Sequence, residues 1–259
     1  MKTTHLAVST RVAILTALAV AMNVKGQSIQ TDDSWFKPDT DNLRQVPANL
    51  VILRPTHFSD SYAKICHYHE NDTLARTVGR DVTLCQTIAE AYDCAPAQVI
   101  LPPDAPQGRF DFLVTTPDHA RKHLRTAIES ELHYTAGTET QNTDVFFLTV
   151  SDPTLPGLTV SASDETSDVN YKDGKLYFTH QPVGAILSGL SQGLNRLVLD
   201  QSGLTNAYDF SVTWSHDTET AMENGAWSLD GVQKVLAGWG LTLESGIDQT
   251  NMYVVTQVP

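Results

Sequence analysis

Apolar positions recur along this chain in patterns that predict both helices and strands. From Leu84 to Tyr92 the residues Leu84, Cys85, Ile88, Ala91 and Tyr92 fall at the spacing of one buried helix face. A turn containing Pro96 leads to the short run Val99-Ile100-Leu101. After Pro102-Pro103 and Gly108, the segment Arg109 to Val114 reads as a strand. Upstream, Asn49 to Leu53 is a short apolar run closed by Arg54-Pro55, and a leading strand is expected near Ala75 to Gly79. A second helix starts at Pro117 or Asp118 and puts Ala120, Leu124, Ala127, Ile128 and Leu132 on one face. Two further runs, His133 to Thr140 and Val145 to Val150, suit a hairpin.

The same order returns about a hundred residues later. At a shift of 98, Ile88 meets Ile186, Tyr92 meets Leu190, Ile100 meets Val198 and Leu101 meets Leu199. Phe110-Asp111-Phe112 meets Tyr208-Asp209-Phe210, and Val114-Thr115 meets Val212-Thr213. At a shift of 108, Leu124 meets Val232, Ala127 meets Val235, Ile128 meets Leu236, and Phe146-Phe147 meets Val254-Val255. The difference is a polar insertion from Ser215 to Ala226. Lys175 to Thr179 supplies a leading strand. Ser228 caps a helix with Leu229, Val232, Val235, Leu236 and Trp239 inward, and Gly240 stops it. Leu241 to Ser245 and Met252 to Gln257 are again runs suited to a hairpin. The expectation is an α/β (α+β) protein of two repeated modules, each ordered strand-helix-strand-strand-helix-strand-strand. The modules span 47–150 and 175–259. A linker at 151–174, with Pro153, Pro156 and a Ser/Asp/Glu-rich stretch, joins them, and a polar, acidic lead-in at 27–46, expected to be loosely held, precedes them.

Residues 1–26 follow a different logic. Lys2 and Arg11 are basic, Val12 to Val24 is largely apolar, and Val24-Lys25-Gly26 puts small residues before Gln27. That is the pattern of a cleavable signal peptide. The apolar stretch is short for a bilayer core of ~30 Å, so no stable membrane span is expected after cleavage. Cleavage removes three of the 17 basic residues and none of the 30 acidic ones, taking the net charge from −13 to −16. So acidic a surface repels phosphate backbones, and nucleic acid is not an expected partner. The expected location is the periplasm or the exterior.

Candidate chemistry is sparse. Cys66, His67, His69, Glu70 and Asp72 crowd one short stretch, and Cys66, His67 and His69 are the weak candidates for metal ligation, with the two histidines on one face of a strand. Of the three cysteines, Cys85 and Cys94 flank a helix that holds them about 13 Å apart at 1.5 Å per residue. Cys66 with Cys94 is therefore the pair expected if any bridge forms, and Cys85 suits a core. Gly189-Leu190-Ser191-Gln192-Gly193 fits the G-x-S-x-G pattern of a hydrolase but falls at the tail of a helix, with Gly193 as its stop. Asp111 and Asp209, each between two aromatics on a strand, are expected to point outward into water. His180 is expected at a strand-to-helix turn. No Walker loop, dinucleotide fingerprint or H-E-x-x-H occurs, so no catalytic residue and no cofactor are assigned.

Asn195 to Trp214 resembles the end signature of an uncharacterised, soil-associated family of exported bacterial proteins. The residues that carry the likeness are Val198-Leu199-Asp200, Ser202-Gly203-Leu204-Thr205 and Tyr208-Asp209-Phe210. Leu53-Arg54-Pro55, Val82-Thr83-Leu84 and Arg109-Phe110-Asp111 resemble its first half. The resemblance implies export and a bacterial source, and carries no catalytic residues. Each module is also distantly similar to the short N-terminal domains of secretins and TonB-dependent receptors, which serve as protein-contact platforms. Together these give the expectation of an exported, non-catalytic binding module with an envelope protein as partner. The alternatives are a hydrolase or metal-dependent enzyme, and a sensor domain for a small ligand.

Overall fold

The computed structural model describes residues 32–58, 64–70, 73–116, 119–162, 165–213, 215, 217, 218, 221 and 226–258. The signal segment, Asp72, Pro117, Asp118 and most of the 215–226 insertion lie outside the described residues. Among the described residues the fold is mixed α+β, with twelve strands in three four-stranded sheets and five α-helices.

The first outer sheet has the order β1 (Val51–Pro55), β5 (Arg109–Val114), β3 (Thr73–Thr83), β2 (Lys64–Glu70), all antiparallel. The second has the order β7 (Thr159–Val160), β11 (Ala207–Thr213), β9 (Lys175–Pro182), β8 (Asp168–Lys172). Position for position the two orders correspond. In each, the third strand runs directly into a helix: β3 into α2 (Leu84–Tyr92) and β9 into α4 (Val183–Leu194). Thr83 begins α2 with a capping box, its hydroxyl accepting from the Gln86 N–H while the Gln86 side chain accepts from the Thr83 N–H. The other helices are α1 (Thr40–Gln45), α3 (Ala120–Ala127), extended by a π-helical turn at Ile128–Leu132, and α5 (Leu229–Gly238). Ser228 caps α5 and Gly240 closes it at φ +78°, as the sequence predicts. Val232, Leu236 and Trp239 face inward, whereas Leu229 and Val235 are exposed. The 151–174 segment is more than a linker, since it contributes β7 and β8.

The closing runs of each half are strand, but neither turns back. They form single strands, β6 (Tyr134–Val150) and β12 (Leu241–Gln257), which pair antiparallel along their full length, Tyr134 with Gln257 and Val150 with Leu241. The short strands β10 (Val198–Asp200) and β4 (Val99–Ile100) flank this ribbon in parallel. The reason lies at the middle of β6. Gln141-Asn142-Thr143-Asp144 lacks the Gly or Asn-Gly that a tight hairpin needs, and the Thr250 hydroxyl donates to that of Thr143 across the ribbon at 2.8 Å. Consequently each core contains a strand from the other half. Val255 of β12 packs with Ile88, Phe110, Phe112 and Leu124, while Phe146 and Leu148 of β6 pack with Ile186, Leu190, Val232 and Leu236.

The lead-in is not loose. A 3-10 turn (Asp33–Phe36) and α1 lay Phe36, Leu43 and Val46 over Val78 and Leu113 on the outer face of the first sheet. That cover explains a correction. Asp111 points away from Phe110 and Phe112 as alternation requires, yet it is fully buried, because the outer face meets this segment and not water. Its carboxylate accepts from the Thr56 hydroxyl (2.8 Å) and the His57 (3.0 Å) and Asp81 (3.0 Å) N–H groups, and it lies 3.4 Å from Arg54 Nε. Arg54 in turn reaches Asp33 at 2.6 Å and stacks over Phe36. In the second half Asp209 holds the corresponding place, taking the Ser161 hydroxyl and the His180 N–H (2.9 Å), and is only half-buried.

Both aspartates sit opposite a bulge. Two residues of β3 (Arg80, Asp81) face Asp111, and two of β9 (Thr179, His180) face Asp209. Asp81 at φ +54° and His180 at φ +50° aim their N–H groups at the carboxylates. His180 therefore belongs to the bulge, three residues before α4 begins.

Replacing Asp111 by Ala removes one of the two carboxylates at buried Arg54, strips the Thr56, His57 and Asp81 donors of their acceptor and should cost about 3 kcal/mol. Asp209→Ala should cost about 1 kcal/mol, since its hydroxyl and amide donors reach water. Equal losses in guanidinium denaturation would show that the cover over Asp111 has no energetic role.

The Ser161 hydroxyl, followed by the His180 N–H, holds the Asp209 carboxyl below its ordinary 3.8. Its contribution to stability is complete above that ordinary value and disappears as pH falls through the lower folded value. Asp209→Asn should therefore reduce the acid loss of Tm measured between about pH 6 and pH 2. An unchanged acid limb would assign that loss to other carboxylates.

Candidate functional site

The sequence-predicted candidates separate in space. On β2, His67 and His69 come together with ring centroids 6.1 Å apart, helped by a bulge between Tyr68 and His69. His67 Nε2 meets the Glu90 carboxylate of α2 at 2.9 Å. Glu90 is almost wholly buried; the Thr77 hydroxyl donates to it at 3.4 Å, and Arg121 of α3 lies 3.8 Å away while pairing with Asp93 at 2.9 Å. The sequence pattern gave no hint of Glu90, because a lone acid on an amphipathic helix reads as solvated. Cys66 goes to the opposite face of β2, packing with Phe36 and Leu43 and lying 3.8 Å from the Thr40 hydroxyl. The set Cys66, His67 and His69 is therefore split between two faces. Among the described residues no group of three or more His, Cys, Asp or Glu side chains is placed to hold a metal ion.

The three thiols are all free, so the Cys66–Cys94 pair, the one expected if any bridge formed, is not joined. Cys66 lies under α1, whereas Cys94 follows the left-handed Asp93 that ends α2. Cys85 donates to the Pro96 carbonyl. Burial pushes the Cys85 thiol up to about 11 and, with Cys85 and Asp93 adding to it, the Cys94 thiol to about 12. Neither supplies a thiolate at neutral pH.

Ser191 lies inside α4, which continues past Gly193 to Leu194 and ends on the left-handed Asn195. Gly193 is required for a different reason: a Cβ there would run into the Trp227 ring. Ser191 is buried, and its hydroxyl accepts the Val198 N–H at 3.0 Å, tying the helix to β10. A nucleophile elbow needs a strained strand-to-helix turn, and this is a regular helix. Asp111 and Asp209 are likewise engaged in their bulges.

What the structure does offer is an open groove of about 520 Å3 beside the centre of the long ribbon. One wall is α4 and β10, with Gly184, Leu187, Ser188, Ser191 and Leu199. The other is the mid-section of β12, Asp248 to Asn251, with Ala95 and Gln98 from the segment after α2. Gln98 fixes that corner, its Oε1 accepting from the Ala95 N–H at 3.0 Å and its Nε2 donating to the Asn251 carbonyl at 3.1 Å. Beneath lie Val145, Leu197 and Met252. The lining is amide, hydroxyl and short aliphatic, with Asp248 its one carboxylate. Such a surface can hydrogen-bond an extended segment, and the volume falls within the range of ligand sites. No local motif announces it, because its residues come from three distant stretches.

Ser191→Ala removes the acceptor of a buried N–H and should cost about 1 kcal/mol in denaturant midpoint analysis. Turnover of a chromogenic ester should be the same for both proteins. An ester hydrolysis that vanished with Ser191 would restore the hydrolase reading.

No curated protein and no solved structure matches the chain. The family model described as protein of unknown function DUF3738 matches residues 85–258, from α2 to the end of β12, and on that match over more than half its length the chain belongs to this family.

Proposed function

We propose that this chain is an exported, non-catalytic binding module of the bacterial envelope that takes a segment of a protein partner in the groove beside the β6–β12 ribbon. The observation that carries the reading is the groove itself. It is an open site walled by Gln98, Ser188, Gln249 and Asn251, with Asp248 its one charged group, a lining suited to hydrogen-bonding an extended segment. Its position supports the reading too, since elements from both halves meet there and a ligand would bridge them. Export rests on Lys2, Arg11, the apolar run Val12 to Val24 and the small residues before Gln27. The bacterial, soil-associated source and the likeness of each half to the short N-terminal domains of secretins and TonB-dependent receptors rest on sequence resemblance. Among the described residues no helix is long and apolar enough to cross a membrane.

Affinity capture from a native envelope extract, with crosslinking before lysis, tests the proposal. The wild-type chain should retain one reproducible protein. Ser188→Trp, which fills the groove from an exposed position on α4, should lose it at least about tenfold, a cost of ~1.4 kcal/mol. Capture that survives Ser188→Trp at full strength would move the site elsewhere.

A further inference from the structure

The second outer sheet ends in a strand unlike the other edges. β8 pairs with β9 alone among the described strands, and all five of its residues are exposed, Val169 at 50% and Tyr171 at 60%. The edges β7, β4 and β10 are two or three residues long, and β1, as long as β8, is largely covered and ends on Pro55. β2 is longer, but a bulge between Tyr68 and His69 bends it, a device that protects an edge. β8 has no bulge against β9, no proline, and two apolar side chains on one face.

The direction of its free backbone groups follows from the turn. Asp173 (φ +51°) and Gly174 (φ +75°) form a two-residue hairpin loop between Lys172 and Lys175. Those two lysines are the closing hydrogen-bonded pair, and such pairs alternate along an antiparallel ladder. Asp168, Asn170 and Lys172 therefore direct their backbone groups at β9, while Val169 and Tyr171 direct theirs outward. Side chains follow the same alternation. Val169 stands opposite Phe178 and Tyr171 opposite Leu176, on the face where Phe178 stacks on Phe210 of the core.

The sequence of this strand, Asp168-Val169-Asn170-Tyr171-Lys172, is complementary to itself when reversed. From this we infer that β8 is a homodimerisation edge, pairing antiparallel with β8 of a second copy about a two-fold axis through Asn170. In that register Asp168 faces Lys172 of the partner subunit and Lys172 faces the partner's Asp168. Val169 faces the partner's Tyr171, and the reverse, so both outward-facing backbone pairs close. Four main-chain hydrogen bonds, two ion pairs and two aromatic–β-branched pairs form from five residues a side. A one-residue slip in either direction puts Val169 or Ser167 opposite each lysine and sets outward-facing backbone groups against inward-facing ones, so charge and ladder together fix the register. Two four-stranded sheets become one of eight. The contact is smaller than a standard stable interface, so the dimer dissociates in the micromolar range or above, on the order of 10 to 100 μM.

Sedimentation velocity on the full purified chain over a concentration series tests this. The wild type should pass from monomer to dimer. Lys172→Asp alone and Asp168→Lys alone each place like charges together twice, and should weaken the dimer about tenfold. The double variant Asp168→Lys with Lys172→Asp restores opposite charges in the same register and should recover the wild-type Kd. Val169→Pro removes an outward N–H without touching the β9 ladder and should abolish association. All three positions are exposed, so circular dichroism and Tm should match the wild type. A chain that stays monomeric to about 1 mM, a dimer indifferent to the single reversals, or a double reversal that fails to rescue each overturns the proposal.

Discussion

The aspartate between two aromatics in β5, and its counterpart in β11, sets the geometry of each half. A strand that ran straight past it would deliver the following helix at a different angle. Instead, two residues of the neighbouring strand bulge opposite the carboxylate, and the second takes a left-handed backbone so that its N–H points at the oxygen. A charged acceptor makes that hydrogen bond stronger than a neutral one, offsetting the cost of positive φ at a non-glycine residue. Asp81 and His180 each lie three residues before the first residue of a helix. The clamp therefore aims α2 and α4, and those helices bring Ile88 and Ile186 into the two cores.

The ribbon of β6 and β12 imposes the second constraint. With no turn at Gln141 to Asp144, each strand continues out of one core and into the other, so neither core is complete without the opposite half. The middle of the ribbon is left between the two cores, and the groove lies beside it. A hairpin in each half would have closed both modules separately and left no shared wall for a ligand.

Much of this was legible from residue pattern. α2, β5, the Ser228 cap and the Gly240 stop follow from local spacing and turn chemistry, which act over a few residues. The errors share one physical origin: what covers a surface is not local. Alternation gave the direction of Asp111 correctly, but its burial depends on Phe36 and Leu43, some 70 residues upstream, in a stretch whose charge made it read as loose. The continuity of β6 depends on pairing with a strand a hundred residues later. The groove residues are ordinary polar side chains, and only tertiary structure gathers them. Leu229 and Val235 sit at inward helical spacing, yet the α5 face they occupy has no described element over it.

The two outer sheets, alike in strand order, differ in what covers them. On the first sheet, Val78 and Leu113 pair across strands on the outer face and lie beneath Phe36. At the matching register of the second sheet stand Tyr177 and Ser211, and next to Tyr177 on β8 is Asn170 where Cys66 flanks Val78 on β2. Substituting polar for apolar residues there removes the need for a cover, and without a cover Asp209 keeps access to water. Among the described strands β8 has no neighbour on its outer edge, while β2 is overlain by α1 and bent by its bulge. The N-terminal segment thus does more than extend the first core. It makes one sheet a closed structural face and leaves the second sheet as the face on which contact with another chain is physically permitted.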